Sequence, residues 1–134
     1  MRFGLVIYGS LDTQSGGYLY DRKLVEGLRA AGDQVEIFSL PWRSYAGHIG
    51  QNFSTSFARR LADSQLDILL QDELNHPSLF WLNRRIRPLV GCSLVSIVHH
   101  LRSSEQHLAV WMPFYLWIER AYLNTVDGFV FNSQ

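Results

Sequence analysis

The chain of 134 residues holds a single cysteine, Cys92. One thiol excludes an internal disulfide and any cysteine-rich zinc site, and it suits a reducing cytoplasm. A surplus of either charge is missing too, since twelve basic side chains balance twelve acidic ones. A nucleic-acid binder needs a basic excess against the phosphates, so nucleic acid is not an expected partner. No long apolar run occurs: the stretch from Leu108 to Ile118 falls well short of the roughly 20 residues that span a bilayer. The N-terminal run Phe3 to Tyr8 is too short for a signal-peptide core and lacks a small-residue cleavage site, so it reads as a strand. No Gly-Lys pair occurs anywhere, which removes a Walker A loop. The G-x-G-x-x-G spacing is also absent after the first strand, and the second strand ends in Ser39-Leu40 rather than an acid. Both features count against a nicotinamide oxidoreductase. The expected location is the cytoplasm.

What remains is 47% hydrophobic and 18% charged, enough apolar surface for one modest globular domain. Short β-branched runs alternate with segments of helical period. Strands are predicted at Phe3–Tyr8, Gln34–Ser39, Asp67–Gln71, Leu94–Val98 and Gly128–Phe131. A Gly-rich loop over 9–17 leads to a helix in which Leu24, Val25, Leu28 and Ala31 recur at three- and four-residue spacing, closed by Gly32. A loop is predicted from Trp42 to about Gln51, then a helix marked by Phe53, Phe57, Leu61 and Ala62. One short helix is predicted from His76-Pro77 to about Ile86, and a long apolar helix over 110–123. Strand–helix alternation implies βαβ units, and near-continuous apolar strands imply a sheet covered on both faces. The predicted fold class is α/β, a Rossmann-like three-layer domain over residues 1–134 with a mostly parallel sheet of about five strands. The chain stops just after its fifth strand, so the domain is expected to be truncated.

In such sheets ligands bind outside the carboxyl ends of the strands. The residues placed there are polar: Gly9, Ser10, Gly16, Gly17 and Tyr18 after the first strand, and Trp42, Arg43 and Tyr45 after the second. Asp72, Glu73, Asn75 and His76 follow the third, His99, His100, Arg102 and Glu105 the fourth, and Asn132 and Ser133 the fifth. Gly16-Gly17 before a helix lets the backbone approach an anion such as a diphosphate, or it is an ordinary turn into that helix. His99-His100 can hydrogen-bond a sugar hydroxyl or phosphate or carry a proton, or be neutral and satisfied by backbone groups. Asp72 and Glu73 can bind hydroxyls or serve as a base, or cap the helix near Pro77. Adjacent histidines point opposite ways from a strand and no H-x-x-x-H spacing helps, so no metal site is expected from them with His76, Asp72 or Glu73. The aromatic stretch Trp111–Trp117 reads as core; with Arg84, Arg85 and Arg87 it also offers a peripheral membrane contact.

Together these residues resemble the N-terminal domain of glycosyltransferase family 4, whose members have the two-domain GT-B fold. The resemblance covers the whole chain. It rests on Ser15-Gly16-Gly17, on Tyr20-Asp21-Arg22 through Ala31-Gly32, and on Val35-Glu36-Ile37 before Leu40-Pro41. It continues through Ser96-Ile97-Val98-His99-His100, Glu119-Arg120 and Val126-Asp127-Gly128-Phe129-Val130-Phe131-Asn132-Ser133. It implies sugar transfer from a nucleotide-diphosphate sugar with retention at the anomeric carbon, no obligatory metal, and no cofactor besides that co-substrate. It further implies that Gly16 and Gly17 approach the donor diphosphate and that His99 lies near the transferred sugar. His100 stands where the family more often has aspartate, which leaves open which histidine acts. Tyr18, Asp72, Glu73, Arg102 and Glu105 fall on the acceptor side. The family's donor site lies in a C-terminal domain not contained in these residues, so this chain alone is expected to be inactive. Expected partners are a nucleotide sugar and a carbohydrate or lipid-linked acceptor, with a peripheral contact at the inner membrane face and self-association through exposed sheet edges. A stand-alone sugar- or lipid-acceptor-binding module is the competing reading.

Overall fold

The structure, a computed structural model, describes residues 1–10, 16–72, 75–98 and 112–131. Among these residues, β1 (Arg2–Tyr8), β2 (Gln34–Leu40), β3 (Ile68–Asp72), β4 (Ser93–Val98) and β5 (Gly128–Phe131) carry the apolar runs. They form one sheet in the order β2-β1-β3-β4-β5, every pair parallel. The helices are α1 (Gly16–Ala30), α2 (Tyr45–Gly50), α3 (Thr55–Ala62), α4 (His76–Leu79), α5 (Leu82–Ile86) and α6 (Met112–Leu123), with a 3-10 turn at Gln51–Phe53. This is the Rossmann-like α/β domain that the strand composition predicts.

Successive strand residues turn to opposite faces, and the two faces are covered differently. Leu5, Ile7, Leu70 and Ile97 pack against Leu24, Val25 and Leu28 of α1. Val6, Tyr8, Phe38, Leu69 and Leu94 pack on the other face against Phe57, Leu61, Leu79, Leu82, Ile86 and Tyr122, contributed by α3, α4, α5 and α6. Right-handed crossovers explain the split. The step from β1 to β2 runs one way along the sheet and every later step runs the other way, so their helices fall on opposite sides. Gly4 lies on the multi-helix face, where a Cβ would sit 2.5–2.9 Å from the side chains of Leu66, Phe38 and Leu69. Only hydrogen fits there.

Three aspartates lock the strands into register. Each stands directly before a strand and accepts from a backbone nitrogen of the neighbouring chain segment. Asp33 accepts from the Met1 ammonium (3.1 Å), Asp67 from the Arg2 N–H (2.7 Å) and Asp127 from the Leu94 N–H (2.8 Å). A one-residue slip would turn each strand's core side chains to the wrong face, so these bonds oppose a costly error.

The structure departs from the sequence reading in four places. α1 begins at Gly16, so the glycine pair forms its first turn rather than a preceding loop. Residues expected as loop between Trp42 and Gln51 contain α2, which Ser44 caps by accepting from the Gly47 N–H (3.2 Å). The single helix expected from His76 to Ile86 is broken at Phe80-Trp81, because the Asn52 side-chain oxygen accepts from the N–H groups of Trp81 (2.8 Å) and Leu82 (2.9 Å) and starts α5 afresh. Finally, Phe114 and Trp117 are exposed rather than core; the buried stripe of α6 runs through Ile118, Glu119 and Tyr122, and Trp117 meets Phe80 edge-on at 6.0 Å.

Each arginine of the cluster has a contact within the domain. Arg85 donates to the Asn52 carbonyl (2.6 Å). Arg87 makes two bonds to the Asp127 carboxylate (both 2.9 Å), and Arg84 lies over the Trp81 ring at 6.0 Å. At the amino end of the sheet a cavity of about 200 Å³ opens between Leu61, Leu66, Val90 and Cys92. Burial pushes the Cys92 thiol up, so it is a packing group rather than a nucleophile. No helix among the described residues is long and apolar enough to cross a membrane.

Candidate functional site

The strand order reverses direction between β1 and β3, which makes the carboxyl end of that pair the switch point where a doubly wound sheet opens a crevice. Tyr8 ends β1 and Asp72 ends β3. Asn75 bridges the two strands: with its side-chain amide turned so that the nitrogen faces them, it donates to the carbonyls of Val6 (3.1 Å) and Asp72 (3.2 Å). Asn75 also holds the residue position before α4, where it makes no side-chain capping bond.

A directed network fills the β1 side of this end. Ser78 Oγ donates to Gln51 Oε1 (2.6 Å), an oxygen that only accepts, so the Tyr8 hydroxyl is the donor in its 2.6 Å bond to Ser78. The Arg43 backbone N–H donates to His48 Nε2 (3.3 Å). Nδ1 therefore carries the proton, which it donates to Gln51 Oε1 (2.9 Å). The Gln51 amide nitrogen donates in turn to the Pro41 carbonyl (3.1 Å). Both ring nitrogens of His48 and the hydroxyls of Tyr8 and Ser78 are thus committed. The network positions the segment after β2.

Rings complete the arrangement. The Tyr8 and His48 rings stack at 3.9 Å, 21° from parallel, and Trp42 lies 5.0 Å from Tyr8 and 6.1 Å from His48. Gly9 lies behind the indole, where a Cβ would be 2.8 Å from Trp42 Nε1. Its φ of 66° is in the left-handed region that favours glycine, and its N–H donates to the Leu40 carbonyl (2.9 Å), tying the ends of β1 and β2 together. On the β3 side, His76 is fully buried and its Nε2 meets the Tyr45 hydroxyl at 3.2 Å. Tyr122 donates to Ser96 Oγ (2.9 Å), and the Gln71 and Asn83 amides pair through two bonds (2.7 and 2.9 Å).

Of the residues singled out from the sequence, Trp42, Tyr45, Asp72, Asn75 and His76 converge at this end. Asp72 and His76 are buried rather than offered to solvent. Gly16 and Gly17 form the first turn of α1, together with the backbone of Tyr18, whose side chain lies outside the described residues. Glu73, His99, His100, Arg102, Glu105, Asn132 and Ser133 also lie outside the described residues. Tyr8, His48, Gln51 and Ser78 were not anticipated: Tyr8 ends a strand, His48 and Gln51 lie in a stretch that reads as loop, and Ser78 sits inside a predicted short helix. The weak signal available was the crowding of His48 and Gln51 between Trp42 and Phe53. Among the described residues no group of three or more His, Cys, Asp or Glu side chains converges on one point. Neither a family model nor a curated protein matches this chain.

Proposed function

We propose that this chain is the acceptor-side half of a retaining glycosyltransferase that draws on a nucleotide-diphosphate sugar. The observation that carries the reading is the start of α1. Its first turn is Gly16-Gly17-Tyr18 with no acidic residue, it opens a helix of fifteen residues, and it follows the segment leaving β1 at the switch point. First-turn N–H groups and the positive end of the helix dipole favour a diphosphate there, and glycine allows close approach. The resemblance adds His99 or His100 beside the transferred sugar, in the segment that leaves β4, and Asp72, Glu73, Arg102 and Glu105 toward the acceptor. A Gly-Gly start alone fits many anion sites; the ordered motifs from Ser15 to Ser133 favour this one.

The test has two parts. Titrating the chain with the diphosphates of uridine, guanosine and adenosine should shift the amide resonances of Gly16 and Gly17, and Gly17→Glu should abolish the shift. Supplying the donor-binding half, joined or in trans, should then give transfer that His99→Ala or His100→Ala lowers at least a hundredfold. No nucleotide-dependent shift and no transfer from any nucleotide sugar would overturn the proposal. Acceptor binding without transfer under those conditions would instead support the competing reading, a stand-alone acceptor-binding module.

A further inference from the structure

The geometry points to Trp42 as a stacking platform for a pyranose ring, a carbohydrate-binding position at the carboxyl end of β1 and β2. This deepens the glycosyltransferase reading and rests on it for the identity of the ligand class. Single exposed apolar side chains are ordinary on protein surfaces, and Phe53 and Leu89 are examples here. Trp42 differs in how it is held. The indole lies against the tilted Tyr8 ring and, at 65°, the His48 ring, its Nε1 lies where a Cβ on Gly9 would fall, and 52% of the residue is exposed. The backing is itself fixed, because Tyr8 and His48 are locked through Ser78 and Gln51. An indole held by two fixed rings has less conformational entropy to lose on binding than a freely rotating surface side chain.

The surroundings choose the ligand. A protein-binding hot spot sits at the centre of a broad apolar patch that excludes water. Here the neighbours in the chain are polar and exposed: Arg43 and Ser44 follow the indole, and the Arg43 guanidinium reaches back to the Trp42 carbonyl (3.4 Å). A pyranose matches that pattern, with one face of C–H bonds for the indole and a rim of hydroxyls for the guanidinium and serine. Gly9 is part of the same device. A side chain there would displace the indole, so the residue that closes β1 also sets the height of the platform.

Saturation-transfer NMR on the chain with methyl α- and β-glycopyranosides of the gluco, galacto and manno series tests this directly. At least one glycoside should receive saturation mainly through its ring C–H protons and shift the Trp42 Nε1–H resonance. Trp42→Ala should weaken its binding about tenfold or more, Trp42→Phe should keep most of it, and Gly9→Ala should weaken it with the Trp42 resonance displaced. Circular dichroism of each variant checks that the fold is kept. Equal binding by wild type and Trp42→Ala would overturn the platform while leaving sugar binding elsewhere intact. No binding of any glycoside, with Gly16 and Gly17 still responding to nucleotide diphosphates, would overturn the platform and leave the transferase reading standing. A Trp42 resonance that moves with protein concentration and not with sugar would assign the indole to self-association and overturn the proposal as well.

Discussion

At the scale of single residues, stability turns on buried polar groups with every valence used. Asn52 is the clearest. Its amide nitrogen donates to the carbonyls of Ile49 and Pro77 (both 2.8 Å), and its oxygen takes the N–H groups of Trp81 and Leu82. Asn52→Ala would leave those N–H groups buried and unpaired, so we expect a loss of about 2–4 kcal/mol, read as a lower urea midpoint at unchanged slope. Nothing in Gln51-Asn52-Phe53 announces this role, because a polar residue at the junction of a predicted loop and a predicted helix reads as surface. Asp127 stands directly before β5 and acts through its carboxylate. The Leu94 N–H, then the Arg87 guanidinium, hold its carboxyl below the usual carboxylate range. A depressed folded pKa stabilises the protein above the ordinary carboxylate range, and that contribution fades as pH falls toward the folded value. Both partners are partly exposed, so solvent screens the pair. Asp127→Asn should cost about 1 kcal/mol at pH 7 and flatten the loss of stability as pH falls through and below the ordinary carboxylate range. An acid-unfolding curve identical to that of the wild type would contradict this.

At the scale of elements, the strands could be read from the sequence and the short helices could not. Leu5, Val6, Ile7 and Tyr8 are buried on alternating faces, so β1 appears in sequence as an unbroken apolar run. α1 spans four turns and shows its period through Leu24, Val25 and Leu28. α2 has six residues, fewer than two turns, and leaves no room for a 3.6-residue period to declare itself. Its existence rests on the Ser44 cap and on His48 packing inward against Tyr8. The same limit hid His48 and Gln51, the part of the candidate site that lies in or beside α2. Ser44→Ala should therefore cost roughly 1 kcal/mol of global stability and speed amide exchange most at residues 45–51. Exchange unchanged there would show that tertiary contacts alone hold α2.

At the scale of the molecule, the two faces of the sheet and its two edges carry different loads. β1 and β3 are paired on both sides, and Leu5, Val6 and Leu69 are wholly buried. β5 pairs only with β4 among the described strands, and Phe129 is exposed. Amide exchange should accordingly be slowest in β1 and β3 and faster in β5, which opens without global unfolding. The helix-rich face has several elements that can relax one at a time, whereas α1 is the one described helix on the other face. Val25 is the most deeply buried apolar residue of α1, and truncating it loosens that cover as a unit. We expect Val25→Ala to cost about 2 kcal/mol by the transfer and cavity terms. If the domain unfolds cooperatively, the slowest amides of β1 and β3 should lose protection by the same free energy, while the fast amides of β5 change little. Native-state exchange measured by mass spectrometry on wild type and Val25→Ala separates the cases. A uniform loss across all strands would mean that β5 too exchanges only by global unfolding. A loss confined to α1 would mean that the helix detaches without the sheet, and that the α1 face contributes far less to the core than its burial implies.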